Sequence, residues 1–257
     1  MNAVVTGGTS GLGREVVSRL RDNGAKVIVA SRRTGIDLRT GEGLWGVLQG
    51  ADVIVHAASH RTRYRAVDLD GTRRMIKILR DRADQPHVVY ISIVGCDRNP
   101  YPYQRAKYAC ELVLERSGLP VTVVRATQFH TLVTDLARVF GRGPLSVQPQ
   151  MSFQSCDHVW VAERLVETAL AEPPPGYVRA PDLAGPERTT LGEAVDLVRQ
   201  VEGRPPARVI TLPAVGGVLK AYALGANLPG PDAVIGGPGY REWLRSALPP
   251  TPRPSGP

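Results

Sequence analysis

The sequence has few of the residues that mark disulfide-rich, metal-binding or membrane-spanning proteins. It contains three cysteines in 257 residues. Cys96, Cys110 and Cys156 are widely separated and show no paired metal-ligand spacing, so we expect reduced, buried thiols and no metal site. No apolar run approaches the roughly 20 residues of a transmembrane helix. We therefore expect no membrane span. Because the N-terminus runs into an apolar strand without a basic start or cleavage site, we expect a cytoplasmic protein.

Lysine is also scarce, although the chain is basic. The formal net charge is +8, and among 32 basic residues only those at positions 26, 77, 107 and 220 are lysine. Such a charge raises the possibility of nucleic-acid binding. The densest basic stretch, residues 61–82, also carries acidic side chains and has apolar residues at helical spacing, which is typical of the solvated face of an amphipathic helix. We expect a small-molecule substrate and no nucleic acid, and the sequence leaves the oligomeric state open.

The first half of the chain alternates short apolar runs with helical patterns. This rhythm predicts an α/β fold, a Rossmann-type doubly wound parallel sheet. We predict an NAD(P)-binding domain over residues 1–172, a smaller substrate lobe rich in proline and glycine over 173–247, and a flexible proline-rich tail over 248–257. The predicted strands are 3–6, 26–31, 52–56, 87–92 and 121–125, and the predicted helices are 11–22, 102–115 and one that begins after residue 157.

A glycine-rich turn joins the first predicted strand to the first predicted helix. Glycines allow positive φ angles and let the backbone approach a pyrophosphate, whose charge is favoured at the N-terminus of the helix. The alternative is a tight turn that binds nothing. The cofactor-binding candidates here are Gly7, Thr9, Ser10, Gly11, Leu12 and Gly13.

The end of the second predicted strand favours NADP(H) over NAD(H). An NAD site usually has an acidic residue there, whereas this chain has Ser31, Arg32 and Arg33. Arginine makes charge-assisted bonds to a 2′-phosphate, which a carboxylate would repel. The alternative is that these are ordinary residues of an arginine-rich chain. Asp37 is the nearest acid, several residues further on.

Tyr103 and Lys107 lie four residues apart and therefore on one face of the helix predicted over 102–115. A neighbouring ammonium favours the ionised phenol, which makes tyrosine a usable proton donor and acceptor. Ser92, at the end of the preceding strand, is placed to hydrogen-bond a substrate oxygen. The alternatives are an exposed helical pair and a structural hydroxyl. The catalytic candidates are Ser92, Tyr103 and Lys107.

These motifs resemble the short-chain dehydrogenase/reductase superfamily, and most of all its atypical NmrA-like NAD(P)-binding branch. The resemblance extends through most of the chain and rests on the glycine turn, residues 36–38, 52–58, 70–72 and 92–95, the Tyr103 to Lys107 segment and residues 125–130. It implies that Asp37 and Leu38 flank the adenine, that Ala57 and Ala58 line the cofactor, and that the backbone of Ala126, Thr127, Gln128 and Phe129 meets the nicotinamide amide. Ile93, Val94 and His130 are candidate substrate contacts, and a histidine with satisfied hydrogen bonds is an equal alternative for His130.

Two features depart from that family pattern. The glycine spacing is that of the compact family members, whereas residues 52–58 and 125–130 resemble the longer ones. Only ten residues separate Ser92 from Tyr103, which leaves open whether both side chains reach one substrate atom. The first hypothesis is an NADPH-dependent ketoreductase or quinone reductase for a hydrophobic, polyketide-like molecule. The alternatives are a non-catalytic NmrA-like regulator that senses NAD(P) and a nucleotide-sugar epimerase or dehydratase.

Overall fold

The computed structural model describes residues 1–247, and the tail predicted for 248–257 lies outside them. In chain order the strands are β1 Asn2–Thr6, β2 Lys26–Ala30, β3 Val53–His56, β4 His87–Ile93, β5 Val121–Ala126, β6 Leu145–Pro149, β7 Ser152–Phe153, β8 Tyr177–Arg179, β9 Leu183–Ala184, β10 Thr189–Thr190, β11 Arg208–Leu212 and β12 Val234–Ile235. The helices are α1 Gly11–Asp22, α2 Leu44–Leu48, α3 Asp70–Arg80, α4 Pro102–Glu115, α5 His130–Phe140, α6 His158–Leu170, α7 Leu191–Val201, α8 Gly217–Ala223 and α9 Tyr240–Ala247. A 3-10 turn at Arg32–Thr34 and a π-helical turn at Arg65–Leu69 complete the elements.

The chain divides into two compact units whose segments interleave. Unit 1 contains Met1–Asp97, Tyr101–Arg125 and His158–Pro181, and unit 2 contains Arg98–Pro100, Ala126–Asp157 and the described residues from Asp182 onward. The division differs from the predicted boundary at residue 172. Buried side chains of α5 and α7 share one apolar core, which composition along the chain does not reveal.

Unit 1 is built on parallel strands in the order β2-β1-β3-β4-β5, with β8 paired to β5. In the central register Val4 pairs with Ile28 on one side and with Ile54 on the other, and Ile54 pairs with Val88. These strands are continuous apolar runs because helices cover both faces of such a sheet. The predicted Rossmann-type α/β fold is confirmed, and the five predicted strands agree with β1 to β5 to within one residue at either end.

Two helices of unit 1 begin and end where the sequence pattern predicts. In α1, Val16, Val17 and Leu20 are buried, and the side chain of Ser10 caps the first turn by accepting from the amide of Gly13. Helix α4 has proline at its first position, where the missing amide costs no hydrogen bond, and it buries Ala106, Cys110 and Leu114 among other side chains. Both helices therefore rest on the sheet through one apolar stripe.

Unit 2 combines three helices with short strand pairs. Val133 of α5, Val195 of α7 and Tyr240 and Leu244 of α9 belong to one buried cluster. Strand β7 pairs antiparallel with β10, and β6 pairs parallel with β11. Ala126, the last residue of β5, pairs with Leu183 of β9, and β9 pairs with β12.

The three cysteines are free and buried, as predicted. Burial raises the pKa of Cys96 and of Cys156 to about 12, so both stay protonated at neutral pH. None of the helices in residues 1–247 has the length and hydropathy that a membrane crossing needs.

Candidate functional site

The glycine turn after β1 is packed so closely that two of its positions require glycine. Gly7 has φ +70°, and a Cβ there would lie 2.7 Å from the Cα of Ala58. A Cβ on Gly13 would lie 2.2 Å from the carbonyl oxygen of Gly7. Ala57 and Ala58 are each 8% exposed and form the floor beneath the turn. The turn is therefore held against the end of β3 by backbone contact.

The outer side of the same turn is open. Ser10 and Gly11 are exposed, and a Cβ on Gly11 would meet only the His158 ring, at 3.7 Å. The first amides of a helix have no partner within the helix and attract anions. A cradle of glycines at the start of α1, with an accessible backbone at its rim, fits a dinucleotide pyrophosphate. Of the candidate turn residues, Thr9 and Leu12 are half-buried and Gly13 is buried.

The segment after β2 folds back on itself. Ser31 to Thr34 forms the 3-10 turn, and the amide of Ile36 donates to the carbonyl of Ser31 at 2.9 Å. Asp37 follows directly, and its carboxylate accepts from Nε and Nη2 of Arg39 at 3.0 and 2.6 Å. These bonds, and more weakly the charge of Arg32, lower the pKa of Asp37, so a carboxylate lies within electrostatic reach of the arginine.

Arg32 and Arg33 themselves are exposed, whereas Leu38, further along the same segment, is buried. Arg33 lines an open groove beside α1, together with Gly8, Thr9 and Arg14. The end of β2 thus presents two solvated guanidinium groups and one carboxylate, and not a purely basic pocket.

Tyr103 and Lys107 face one side of α4, as the four-residue spacing predicts. The Tyr103 hydroxyl lies 2.7 Å from the hydroxyl of Ser59, in the loop after β3. The Lys107 ammonium is 2% exposed, lies 4.4 Å from the centroid of the Tyr90 ring and 3.8 Å from Oδ1 of Asp68. A buried ammonium is stable only with such partners. Ser59 and Asp68 were not predicted as site residues.

A second set of buried polar groups ties the ends of β1 and β3 to α3. Thr72 donates to the carbonyl of Asp68 at 2.6 Å, so its oxygen accepts from Nε2 of His56 at 2.9 Å. Nδ1 of His56 then accepts from Thr6, at 2.7 Å. Burial, and secondly the charge of Lys107, lower the pKa of His56 from 6.5 to about 3, which keeps the ring neutral.

Ser92 lies in a different cluster of unit 1, which we call the sealed cluster: Ser92, Cys96, Glu111 and Arg125. The hydroxyl of Ser92 donates to Oε1 of Glu111, and the Cys96 thiol donates to the same oxygen at 3.3 Å. Nε and Nη2 of Arg125 bond to the two oxygens of Glu111 at 2.9 and 2.6 Å. All four side chains are at most 5% exposed.

The structure therefore gives the hydroxyls of Ser92 and Tyr103 different partners, Glu111 for one and Ser59 for the other. The catalytic role of Ser92 stays a prediction, and it requires Ser92 to exchange its bond to Glu111 for one to substrate. Of the two neighbouring substrate candidates, Ile93 is half-buried and Val94 is 1% exposed.

The predicted nicotinamide segment, residues 126–129, belongs to unit 2. The amide of Thr127 donates to Leu183 at 2.9 Å, and the carbonyl of Gln128 accepts from Cys156 at 3.0 Å. His130, 1% exposed, bonds through Nδ1 to Ser155 at 2.9 Å and through Nε2 to the carbonyl of Pro238 at 3.1 Å. Both ring nitrogens of His130 are engaged, as the satisfied-histidine alternative predicts.

One polar pair in unit 2 was missed by the sequence analysis. Nδ2 of Asn227 donates to the carbonyl of Ser152 and to Oε1 of Gln128, both at 2.9 Å, which fixes the orientation of both amides. Among the described residues, Nε2 of Gln128 and Oδ1 of Asn227 are buried without a partner. Asn227 lies in an irregular segment whose residue types carry no motif.

Comparison with solved structures identifies proteins of the same fold over nearly the full chain. MoeE5 in complex with UDP-glucuronic acid and NAD aligns with a TM-score of 0.71 at 18% identity, over 96% of this chain and 97% of that chain. The UDP-glucose 4-epimerase of Thermus thermophilus with NAD gives 0.66 at 18%, over 95% and 98%. The dTDP-glucose 4,6-dehydratase of Bacillus anthracis str. Ames with NAD gives 0.70 at 14%, over 96% and 95%.

Comparisons with protein-family models and with curated proteins find no match. At the identities given above, the structural similarity establishes the fold. The predicted resemblance to the short-chain dehydrogenase/reductase superfamily is confirmed at that level, whereas the NmrA-like branch is not, because the matched structures are epimerases and dehydratases.

The prediction of NADP is wrong. The matched structures contain NAD. The physical reason is the turn after β2: it returns Asp37 to the neighbourhood of Arg32, and a carboxylate there opposes a 2′-phosphate. The prediction rested on Ser31, Arg32 and Arg33 by their position in the chain, without the acid that the fold brings beside them.

Proposed function

We propose that the protein is an NAD-dependent enzyme that acts on a nucleotide sugar, in the manner of an epimerase or dehydratase. The observation that carries this proposal is the presence, in one compact unit, of a glycine turn fitted to a dinucleotide and of a Tyr103–Lys107 pair on one helix face. The fold is shared with MoeE5, whose complexes contain NAD and a UDP-sugar, over nearly the full length of both chains.

In this proposal the backbone of the turn from Gly7 to Gly13 binds the pyrophosphate, above Ala57 and Ala58. Asp37 and Leu38 flank the adenosine side, and residues 126–129 approach the nicotinamide. When bound, NAD supplies a hydride acceptor, and in its reduced form a hydride donor, for a carbon of the sugar.

Tyr103 exchanges a proton with the sugar hydroxyl whose carbon loses the hydride. Lys107, buried and positive, favours negative charge that develops on the Tyr103 oxygen and contacts the cofactor ribose. Ser92 is the second hydroxyl proposed for the substrate oxygen. Ile93, Val94 and His130 remain proposed substrate neighbours, His130 with both ring nitrogens already bonded.

The test is to titrate the purified protein with NAD and with NADP, and then to incubate the NAD-bound protein with UDP-glucose, UDP-glucuronic acid and dTDP-glucose. We expect tighter binding of NAD, and conversion of at least one nucleotide sugar without net accumulation of reduced cofactor. A protein that leaves all three sugars unchanged and oxidises NADPH with ketones or quinones would be the reductase of the first hypothesis. Binding of cofactor with neither reaction would favour a sensing role.

A further inference from the structure

Tyr103 is the outer end of a chain of polar side chains that leads into the core of unit 1, which we call the Tyr103 chain: Tyr103, Ser59, Asp68 and Lys107. The Ser59 oxygen lies 2.7 Å from the Tyr103 oxygen and 2.6 Å from Oδ1 of Asp68. The ammonium of Lys107 lies 3.8 Å from the same carboxylate oxygen. The four residues come from the loop after β3, the π-helical turn and α4.

The direction of each hydrogen bond follows from what each group can donate. An ionised carboxylate only accepts, so the single proton of Ser59 is committed to Asp68. The Ser59 oxygen then accepts from the phenol, and Tyr103 is the donor of that bond. Because the phenol proton points inward, the lone pairs of the Tyr103 oxygen are left for an outer group that donates. A sugar hydroxyl donates a hydrogen bond, whereas a ketone oxygen does not.

The inner end of the chain is anchored from several sides. Asp68 is 1% exposed, and its second oxygen accepts from the backbone amide of His60 at 3.0 Å. The π-helical turn that contains Asp68 leads directly into α3, where Thr72 bonds to the carbonyl of Asp68. Single π-turns within helices occur frequently at functional sites. The outer end differs, because Ser59 is exposed and Tyr103 is half-buried.

We propose that Ser59 and Asp68 are positioning residues for Tyr103. Asp68 acts through the Ser59 hydroxyl to hold the phenol in one rotamer, with its proton inward and its oxygen ready to accept from a substrate hydroxyl. The chemical consequence rests on the proposed function, since it selects an alcohol as the group that first meets Tyr103. The hydrogen-bond chain itself is a property of the protein without any ligand.

The decisive experiment therefore needs no substrate. The protein is labelled with carbon-13 at the ζ carbon of tyrosine, and the Tyr103 resonance is assigned by its loss in Tyr103→Phe. We expect Ser59→Ala and Asp68→Asn to shift this resonance near neutral pH, and Ser59→Thr, which restores a hydroxyl, to return it toward the wild-type position. Asp70→Asn is the matched control: Asp70 follows two residues later, is exposed and pairs with Arg73.

An unchanged Tyr103 resonance in Ser59→Ala overturns the proposal, and so does a failure of Ser59→Thr to restore it, because a packing defect alone is not rescued by a hydroxyl. Ser59 is exposed, so its substitution leaves the core intact.

Kinetics with NAD and UDP-glucose form the second arm. We expect kcat to fall about tenfold or more in Ser59→Ala and Asp68→Asn, with the Kd for NAD unchanged, since misplacing a reacting group costs rate rather than cofactor affinity. Wild-type kcat values in both variants contradict the proposal. Wild-type protein that does not turn over any nucleotide sugar contradicts the proposed function instead, and the resonance experiment still decides the role of Ser59 and Asp68.

Discussion

Unit 1 contains two clusters of hydrogen-bonded polar side chains, and both include residues of α4. The sealed cluster, built around Glu111 and Arg125, lies wholly in the interior. The Tyr103 chain, anchored on the buried Asp68 and Lys107, ends at the surface. Lys107 and Glu111 are one helical turn apart, so the same helix contributes to a cluster suited to chemistry and to one suited to stability. The difference teaches that access, rather than polarity, separates the two roles.

The largest expected effect concerns the open end of the Tyr103 chain. Tyr103→Phe removes the group that exchanges a proton, and general acid–base catalysis contributes about 10²- to 10⁴-fold. We expect turnover of a nucleotide sugar to fall by about that factor, with NAD affinity retained, as measured by steady-state kinetics and by calorimetric titration. Tyr108→Phe, on the same helix, is the control. Equal rates for wild type and Tyr103→Phe would remove Tyr103 from the chemistry.

The sealed cluster predicts a loss of stability in place of a loss of rate. Glu111→Ala leaves Arg125 buried without its bidentate partner, and breaking such a pair costs about 3–5 kcal/mol. Urea unfolding measures this change. Glu115→Ala, an exposed site one turn further along α4, is expected to change the free energy of unfolding by no more than about 0.5 kcal/mol. Similar values for the two variants would mean that Glu111 is not the anchor of the cluster.

A smaller effect is expected from pH. His56 has a pKa of about 3 in the folded protein, against 6.5 for the free side chain. Its contribution to stability is complete above 6.5 and is lost progressively as the pH falls toward 3, because the unfolded chain takes up a proton that the folded chain does not, at up to about 1.4 kcal/mol per pH unit.

The measurement is the free energy of unfolding of wild type and His56→Gln at several pH values below 6.5. The wild type is expected to lose stability more steeply than the variant, which lacks this titrating group. Parallel slopes would show that His56 is already protonated in the folded protein.

The smallest expected effect is that of Asp70→Asn. The Asp70–Arg73 pair spans one helical turn, with side chains 39% and 58% exposed, and such surface pairs contribute about 0–1 kcal/mol. Both urea unfolding and turnover are expected to remain close to wild type. A marked loss of turnover in this variant would mean that charge anywhere near the π-helical turn affects Tyr103, which would weaken the specific role of Asp68.

Local patterns predicted the parts of the fold that depend on local physics. Val16, Val17 and Leu20 recur on one stripe of α1, and Pro102 begins α4, so both helices were predicted with the observed bounds. The Tyr103–Lys107 pair followed from helical spacing alone. The strands β1 to β5 followed from short apolar runs that a parallel sheet buries on both faces.

Contacts between distant segments were not predictable in this way. Ser59 and Tyr103 are 44 residues apart, and their contact depends on a π-helical turn that no residue pattern announces. The pairing of Ser92 with Glu111 and the return of Asp37 toward Arg32 are likewise results of how the chain folds back. The preference for NADP was inferred from residue types in one stretch, and it was wrong for that reason.

The most direct test of the account is a rapid-mixing experiment in which NAD-bound protein meets UDP-glucose while the absorbance of reduced nicotinamide is followed. We predict a transient rise in wild type and in Asp70→Asn, and no rise in Tyr103→Phe. An identical transient in Tyr103→Phe, or no transient in the wild type with any of the three nucleotide sugars named above, would contradict the central claim that Tyr103 carries proton exchange for NAD-dependent chemistry on a sugar.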